Sequence, residues 1–236
     1  PVARRCLASL VFAIAAAGLA TAPALSETAT LRPVAMAEVR ADEPDTTFGT
    51  ENLWVNGNPG AARQLLLVFD LNQLDADLED VRFSEATLRM VRAASSGHIA
   101  YKHRAIFTGV IDNQGWDGRN PAPHGAEGES ITWANAPKND VEDNGFVEYG
   151  TVSLGATRLR EGRQALDLTD YLNWAVGRDP AGGIAGRDED GLITVHVHAT
   201  HPVVYRYHGK GENAPRLELA YQPAPAATAP IQASVV

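Results

Sequence analysis

The feature that most constrains this chain is the rhythm of its apolar residues, which come in short bursts rather than long stretches. In RLELAY at 216–221, Leu217, Leu219 and Tyr221 alternate with Arg216, Glu218 and Ala220. A period of two places successive side chains on opposite faces of a strand, so this segment presents one apolar and one mostly polar face. Comparable bursts recur at 34–40, 53–55, 64–71, 86–92, 98–111, 146–154, 192–199 and 203–208. They are enriched in β-branched and aromatic residues and bounded by Gly, Asp, Asn and Pro, the residues that turn a chain between strands. One segment keeps a different rhythm. In LDLTDYLNWAVG, Leu168, Leu172 and Val176 recur every fourth residue, Asp167 or Thr169 can cap the start, and Gly177 can end it. That spacing predicts one short helix over 169–177. About nine or ten strands, one helix and no strand–helix alternation predict an all-β fold, an antiparallel, jelly-roll-like β-sandwich.

The ends of the chain read differently from its body. Arg4 and Arg5 precede an apolar run from Leu7 to Ala20, followed by small residues and Pro23. A basic start, an apolar run of roughly 14 residues and small residues near Ser26 are the marks of a secretory signal peptide over 1–26. The run is shorter than the ~20 residues a spanning helix needs, so no membrane span is expected in the mature protein. Cleavage there removes Cys6, the one cysteine, with Arg4 and Arg5. From Gln222 the sequence QPAPAATAPIQASVV is small, Pro-rich and uncharged, the composition of a linker or tail that could lead to other modules. The body between, 33–221, is expected to form one domain.

Charge narrows the function. The chain has 20 basic and 29 acidic residues, a formal net charge of -9, and loss of Arg4 and Arg5 makes the balance more acidic. Nucleic-acid binding requires clustered Lys and Arg, so that class is set aside. A single cysteine makes neither an internal disulfide nor a cysteine-ligated zinc site. The sequence has no GxSxG elbow, P-loop, GxGxxG or HExxH motif, and a non-catalytic role is expected.

A succession of segments resembles one known family. VRADEPDTTFGTENLWVNG at 39–57 is followed by LLLVFDLNQL at 65–74, FSEATLRMV at 83–91, ITWANAPKND at 131–140, LDLTDYLNWAV at 166–176 and GKGENAPRLELAY at 209–221. Together they resemble the DNRLRE domain family, with ITWANAP and ENAPRLEL the most specific pieces. The resemblance spans about 34–221. It implies a secreted, non-catalytic β-sandwich of the kind classed with carbohydrate-binding modules and attached to alginate- and other polysaccharide-degrading enzymes. It does not assign a sugar. Within ITWANAP, Ile131 and Trp133 share a face and Asn135, Ala136 and Pro137 turn the chain, so Trp133 is expected in the core. Asp70 and Asp167 are expected to cap turns or the helix.

Sugar binding calls for aromatic faces beside polar side chains. The segment 112–130 offers Trp116 with Arg119 and Asn120, and VVYRYHGKG offers Tyr205, Arg206, Tyr207 and Lys210. His196 and His198 sit two apart on a strand and share a face, a geometry found in strand-borne metal sites, with His103 or Asp190 as a third ligand. The competing reading makes them an outward polar face, with Val195 and Val197 in the core. Acidic loops at 42–45, 140–143 and 188–190 are candidates for a structural calcium; no other cofactor is implied.

The expectation is a secreted module that binds an extracellular polysaccharide. Its competitor is a structural or adhesive surface protein, and a distant third is a metal-dependent enzyme built on His196 and His198. Because the net charge repels polyanions, a neutral glycan is the expected ligand, or an acidic one bridged by calcium.

Overall fold

The computed structural model describes residues 26–46, 48, 52–58, 60–96, 103–110, 131–134, 136, 139–140, 145–146, 151–158, 162–177, 191–199 and 201–223. Their strands are β1 (Glu27–Leu31), β2 (Ala35–Arg40), β3 (Asn52–Asn56), β4 (Arg63–Asp70), β5 (Val81–Ser96), β6 (Arg104–Val110), β7 (Asn139–Asp140), β8 (Gly145–Phe146), β9 (Thr151–Arg158), β10 (Arg163–Asp167), β11 (Leu192–Ala199), β12 (Val204–His208) and β13 (Arg216–Pro223). Among the described residues a single α-helix, α1 (Thr169–Ala175), follows β10. The fold is the expected all-β, sandwich-like arrangement, and every named ladder is antiparallel. No helix among the described residues is long and apolar enough to cross a membrane.

The ladders make two facing layers. One runs β2–β4–β11–β6–β9. In the other, β5 has β10 along one edge and β13 along the other, β12 pairs with its C-terminal end, and β1 and β3 lie outside β13 and β12. A single register pair, Asn56 opposite Arg63, joins the layers where β3 turns into β4. Alternation supplies the main core. Leu65, Leu67 and Phe69 of β4, with Val195 and Val197 of β11, pack with Leu88 of β5, Leu217 and Leu219 of β13, and Tyr205 and Tyr207 of β12.

β5 breaks its own alternation. Val81 and Phe83 are buried, and so are Ala86, Leu88 and Met90, which have the opposite parity. The register with β13 shifts between Ala220 and Tyr221, leaving Ser84 as an extra residue whose Oγ donates to Ala220 O at 3.1 Å. This bulge keeps Glu85 out of the core and admits Ala86.

Where β10 ends, α1 takes over its edge of β5. Leu168 N–H donates to Ala86 O at 2.7 Å, and Ala86 N–H donates to Thr169 Oγ1 at 2.9 Å. Further along, the Asn173 amide donates to Phe83 O and accepts from Phe83 N–H, both at 2.9 Å. Asp70 caps the 3-10 turn Leu71–Gln73 as expected, accepting from Asn72 N–H. The cap position of α1 falls on Leu168 without a side-chain bond, whereas Asp167, one residue earlier, closes a local turn by accepting from Thr169 N–H and Oγ1–H. The helix is slightly shorter than its periodicity predicts, because Gly177 turns the chain at φ 74.

A second, smaller cluster lies on the outer face of the β2–β4–β11 layer. There Ile131, Trp133 and Ala136 cover Ala37, Val39, Leu66 and Val68. Trp133 is buried as expected, outside the sandwich rather than within it. β4 is thereby covered on both faces, which explains why QLLLVFD reads as a continuous apolar run. β1 was not expected from the sequence, and β13 runs through Pro223, slightly into the segment read as a tail. Residues 1–25 and 224–236, which hold most of the segments read from sequence as a signal peptide and a tail, lie outside the described set.

Candidate functional site

Alternation sorts the sequence-derived candidates. Tyr205 and Tyr207, candidates for stacking on a sugar, are both wholly buried and meet edge to face at 5.3 Å. Tyr207 Oη donates to Gln164 Oε1, which also accepts from Thr157 Oγ1, so the tyrosine belongs to an internal hydrogen-bond chain. β12 lies between β3 and β5, and its inward parity went to the two large rings. Burial raises both phenols well above their usual range. Neither tyrosine can stack on a sugar. Arg206 has the outward parity: its guanidinium lies over the half-buried Trp54 ring at 5.4 Å. Lys210 is exposed on the loop between β12 and β13. Trp116, Arg119 and Asn120 lie outside the described residues.

His196 and His198 share a face, and their rings stack at 5.3 Å. The reading of that face as solvated is corrected, because His196 is 1% exposed and β11 is buried on both sides. His196 Nε2 is engaged with buried Gln64 Oε1 at 2.8 Å. Burial, and then its neighbour His198, holds the His196 imidazole well below the ordinary range, and burial lowers His198 to about 4. His103, a suggested third ligand, lies instead beside His201, the rings tilted at 38° with centroids 5.1 Å apart, and Asp190 is outside the described residues. Among the described residues no three His, Cys, Asp or Glu side chains come together as a metal-ligand set. Of the acidic loops, 42–45 is described, and its Glu43 pairs with Arg40 at 3.5 Å. Side chains of 140–143 and all of 188–190 are outside the described set.

The outer face of the other layer holds a site that sequence reading missed. A polar cleft of about 450 Å³ opens among β5, β10 and the loop into β13, with Arg89, Arg163, Arg216, Glu212 and Asn213 on its walls. Arg89 and Arg216 are direct cross-strand partners, and Arg163 stands opposite Val91 on the far edge of β5. Like charges directly opposed across a ladder destabilise it unless something intervenes. Glu218 intervenes: one carboxylate oxygen accepts from Arg89 Nε at 2.5 Å and the other from Arg216 Nε at 2.9 Å. Arg89, and more weakly Arg216, holds this carboxyl below its usual range against partial burial. Arg163 is exposed and makes no ion pair among the described residues. The alternation of RLELAY already put Arg216 and Glu218 outward, but nothing in the sequence brings Arg163 beside them.

The cleft displays guanidinium, amide and carboxylate groups on a rigid ladder, an arrangement suited to holding a polar or anionic ligand by hydrogen bonds. No protein-family model and no curated protein sequence matches the chain.

Proposed function

We propose that this protein is a secreted β-sandwich domain that binds an extracellular polysaccharide without chemically altering it. The supporting observation is the open, arginine-lined cleft on the outward face of the β5–β10–β13 ladder. Its walls offer donors from Arg89, Arg163, Arg216 and Asn213 and an acceptor in Glu212, the mixture that hydroxyl-rich polymers hydrogen-bond to. Ladder hydrogen bonds hold the strands that carry it, so little is lost in ordering the site on binding. The signal-peptide-like start and the resemblance to secreted carbohydrate-binding domains point the same way.

The test is a panel of immobilised polysaccharides, neutral, uronate-bearing and sulfated, probed with the full chain at physiological salt. Saturable binding to at least one polymer, unaccompanied by release of reducing ends, is the expected result. Binding to none, together with concentration-dependent self-association, would replace this reading with a structural or adhesive role.

A further inference from the structure

We propose that the Arg89–Arg163–Arg216 cleft seats a sulfate ester, and that the polymer recognised is a sulfated polysaccharide. This inference rests on the polysaccharide-binding reading and names its ligand class. Three observations carry it: the number of guanidiniums, the directions they come from and the charge they leave uncompensated.

Arg216 and Arg89 are paired across β13 and β5, while Arg163 reaches the cleft from β10, on the opposite edge of β5. Donors therefore arrive from three strands. A carboxylate has two oxygens in one plane, and a single guanidinium fork satisfies it. A sulfate ester has three terminal oxygens that diverge from sulfur and need donors from several directions. The cleft's geometry fits the second group.

Glu218 uses only the Nε–H groups of Arg89 and Arg216, so it sets those two side chains in place without occupying their terminal nitrogens. Of these, Arg216 Nη1 also reaches Glu212 O at 3.5 Å. Arg163, exposed and without an ion pair among the described residues, supplies the third fork. Arg89, Arg163 and Arg216 set against Glu212 and Glu218 leave one positive charge. A sulfate ester carries one negative charge at any ordinary pH, whereas a phosphate monoester carries about -1.5 to -2 near neutrality and would overfill the site. The chain's overall negative charge does not forbid this. At physiological ionic strength fields from remote charges fade over ~8 Å, so the arginines within the cleft decide what enters it. The fold thus brings together cations that the sequence scatters, and the neutral-glycan expectation drawn from net charge gives way to a local one.

The experiment measures binding of the full chain to dextran sulfate, dextran and polygalacturonate at physiological salt, with inorganic sulfate as competitor. Dextran sulfate is expected to bind at least tenfold more tightly than either other polymer, and millimolar sulfate is expected to displace it. Arg163→Ala should weaken dextran sulfate binding about tenfold. Arg163→Lys, which keeps the charge and loses the fork, should restore little of it. Arg82→Ala removes an exposed cation of β5 outside the cleft and should change nothing. Equal weakening by Arg82→Ala would reduce the effect to general charge and overturn the proposal. Polygalacturonate or dextran bound as tightly as dextran sulfate would also overturn it, leaving the polysaccharide-binding reading in place. Failure of every polymer, here and in the wider panel, would remove both.

Discussion

Asn173 is the residue whose replacement tests most directly how α1 completes the sheet. Its side-chain amide is buried and copies a strand neighbour, donating to Phe83 O and accepting from Phe83 N–H at 2.9 Å each. Asn173→Ala leaves both backbone groups of Phe83 without a partner in a site that water does not readily enter. Each buried group left unsatisfied costs about 1–3 kcal/mol, so the loss should be about 2–5 kcal/mol. With a urea dependence of ~2 kcal/mol per molar, the unfolding midpoint should fall by roughly 1–2 M with its slope unchanged. Asn173→Asp separates hydrogen bonding from packing. As a carboxylate it still accepts from Phe83 N–H but opposes Phe83 O with a second oxygen; once protonated it regains a donor. Its folded-state pKa is therefore raised above the unfolded value, and the stability that protonation contributes is lost as pH rises through the folded value. Relative to the parent at the same pH, Asn173→Asp should be markedly less stable at pH 7 and recover much of the difference near pH 4. Urea titrations followed by far-UV circular dichroism at both pH values measure this. An Asn173→Ala variant within 0.5 kcal/mol of the parent, or an Asn173→Asp deficit independent of pH, would refute the strand-substitute account.

Trp133→Ala should cost ~3–5 kcal/mol, because the ring is 2% exposed in the outer cluster; chemical denaturation reporting no change would place the ring outside any core. The depressed pKa of His198, about 4, means the unfolded chain takes up a proton below pH 6.5 that the folded chain refuses. His198 alone should therefore lower stability by up to about 3 kcal/mol between pH 6.5 and 4, and His198→Gln should make the slope shallower in melting curves taken across the range, the remainder coming from His196. Glu38 acts with the opposite sign: desolvation raises its carboxyl despite Trp54 N–H, Arg40 and Arg63, so the stability its protonation contributes is present below pH 4.5 and lost as pH rises through the folded value. Glu38→Gln, which keeps an acceptor for Trp54 N–H, should gain on the parent as pH rises from 4 to 7, and a difference constant with pH would refute the assignment.

Strands were legible wherever one face meets the core, as in RLELAY, where alternation and burial agree residue for residue. The reading failed where a sheet is covered on both sides. Val195 and Val197 do take the main core, but His196 is buried as well, because the other face of β11 is also enclosed. Alternation cannot reveal what lies over an outward face. In VVYRYH it gives two faces without saying which is inward, and offering the tyrosines to a ligand chose the face that packs into the main core. The bulge at Ser84 reverses the parity of β5 part-way, a register shift against β13 that the spacing of apolar residues does not announce. The cleft was the least legible feature. Arg89, Arg163 and Arg216 lie on three strands far apart in sequence, and only the register of β10 and β13 against β5 brings them together.

The pairing of β1 with β13 has a mechanical consequence. Glu27 stands opposite Tyr221 and Leu31 opposite Leu217, so β1 begins and β13 finishes at the same end of one antiparallel ladder. Tension applied between flanking segments would load the Glu27–Tyr221 pair first and then each following pair in turn, as in a zip, rather than shearing all of them at once. β1 should peel away at low force while β13 stays paired with β5 along its other edge. A domain tethered in this way would yield by releasing a short strand and keep its arginine cleft, which β1 does not line, intact under load.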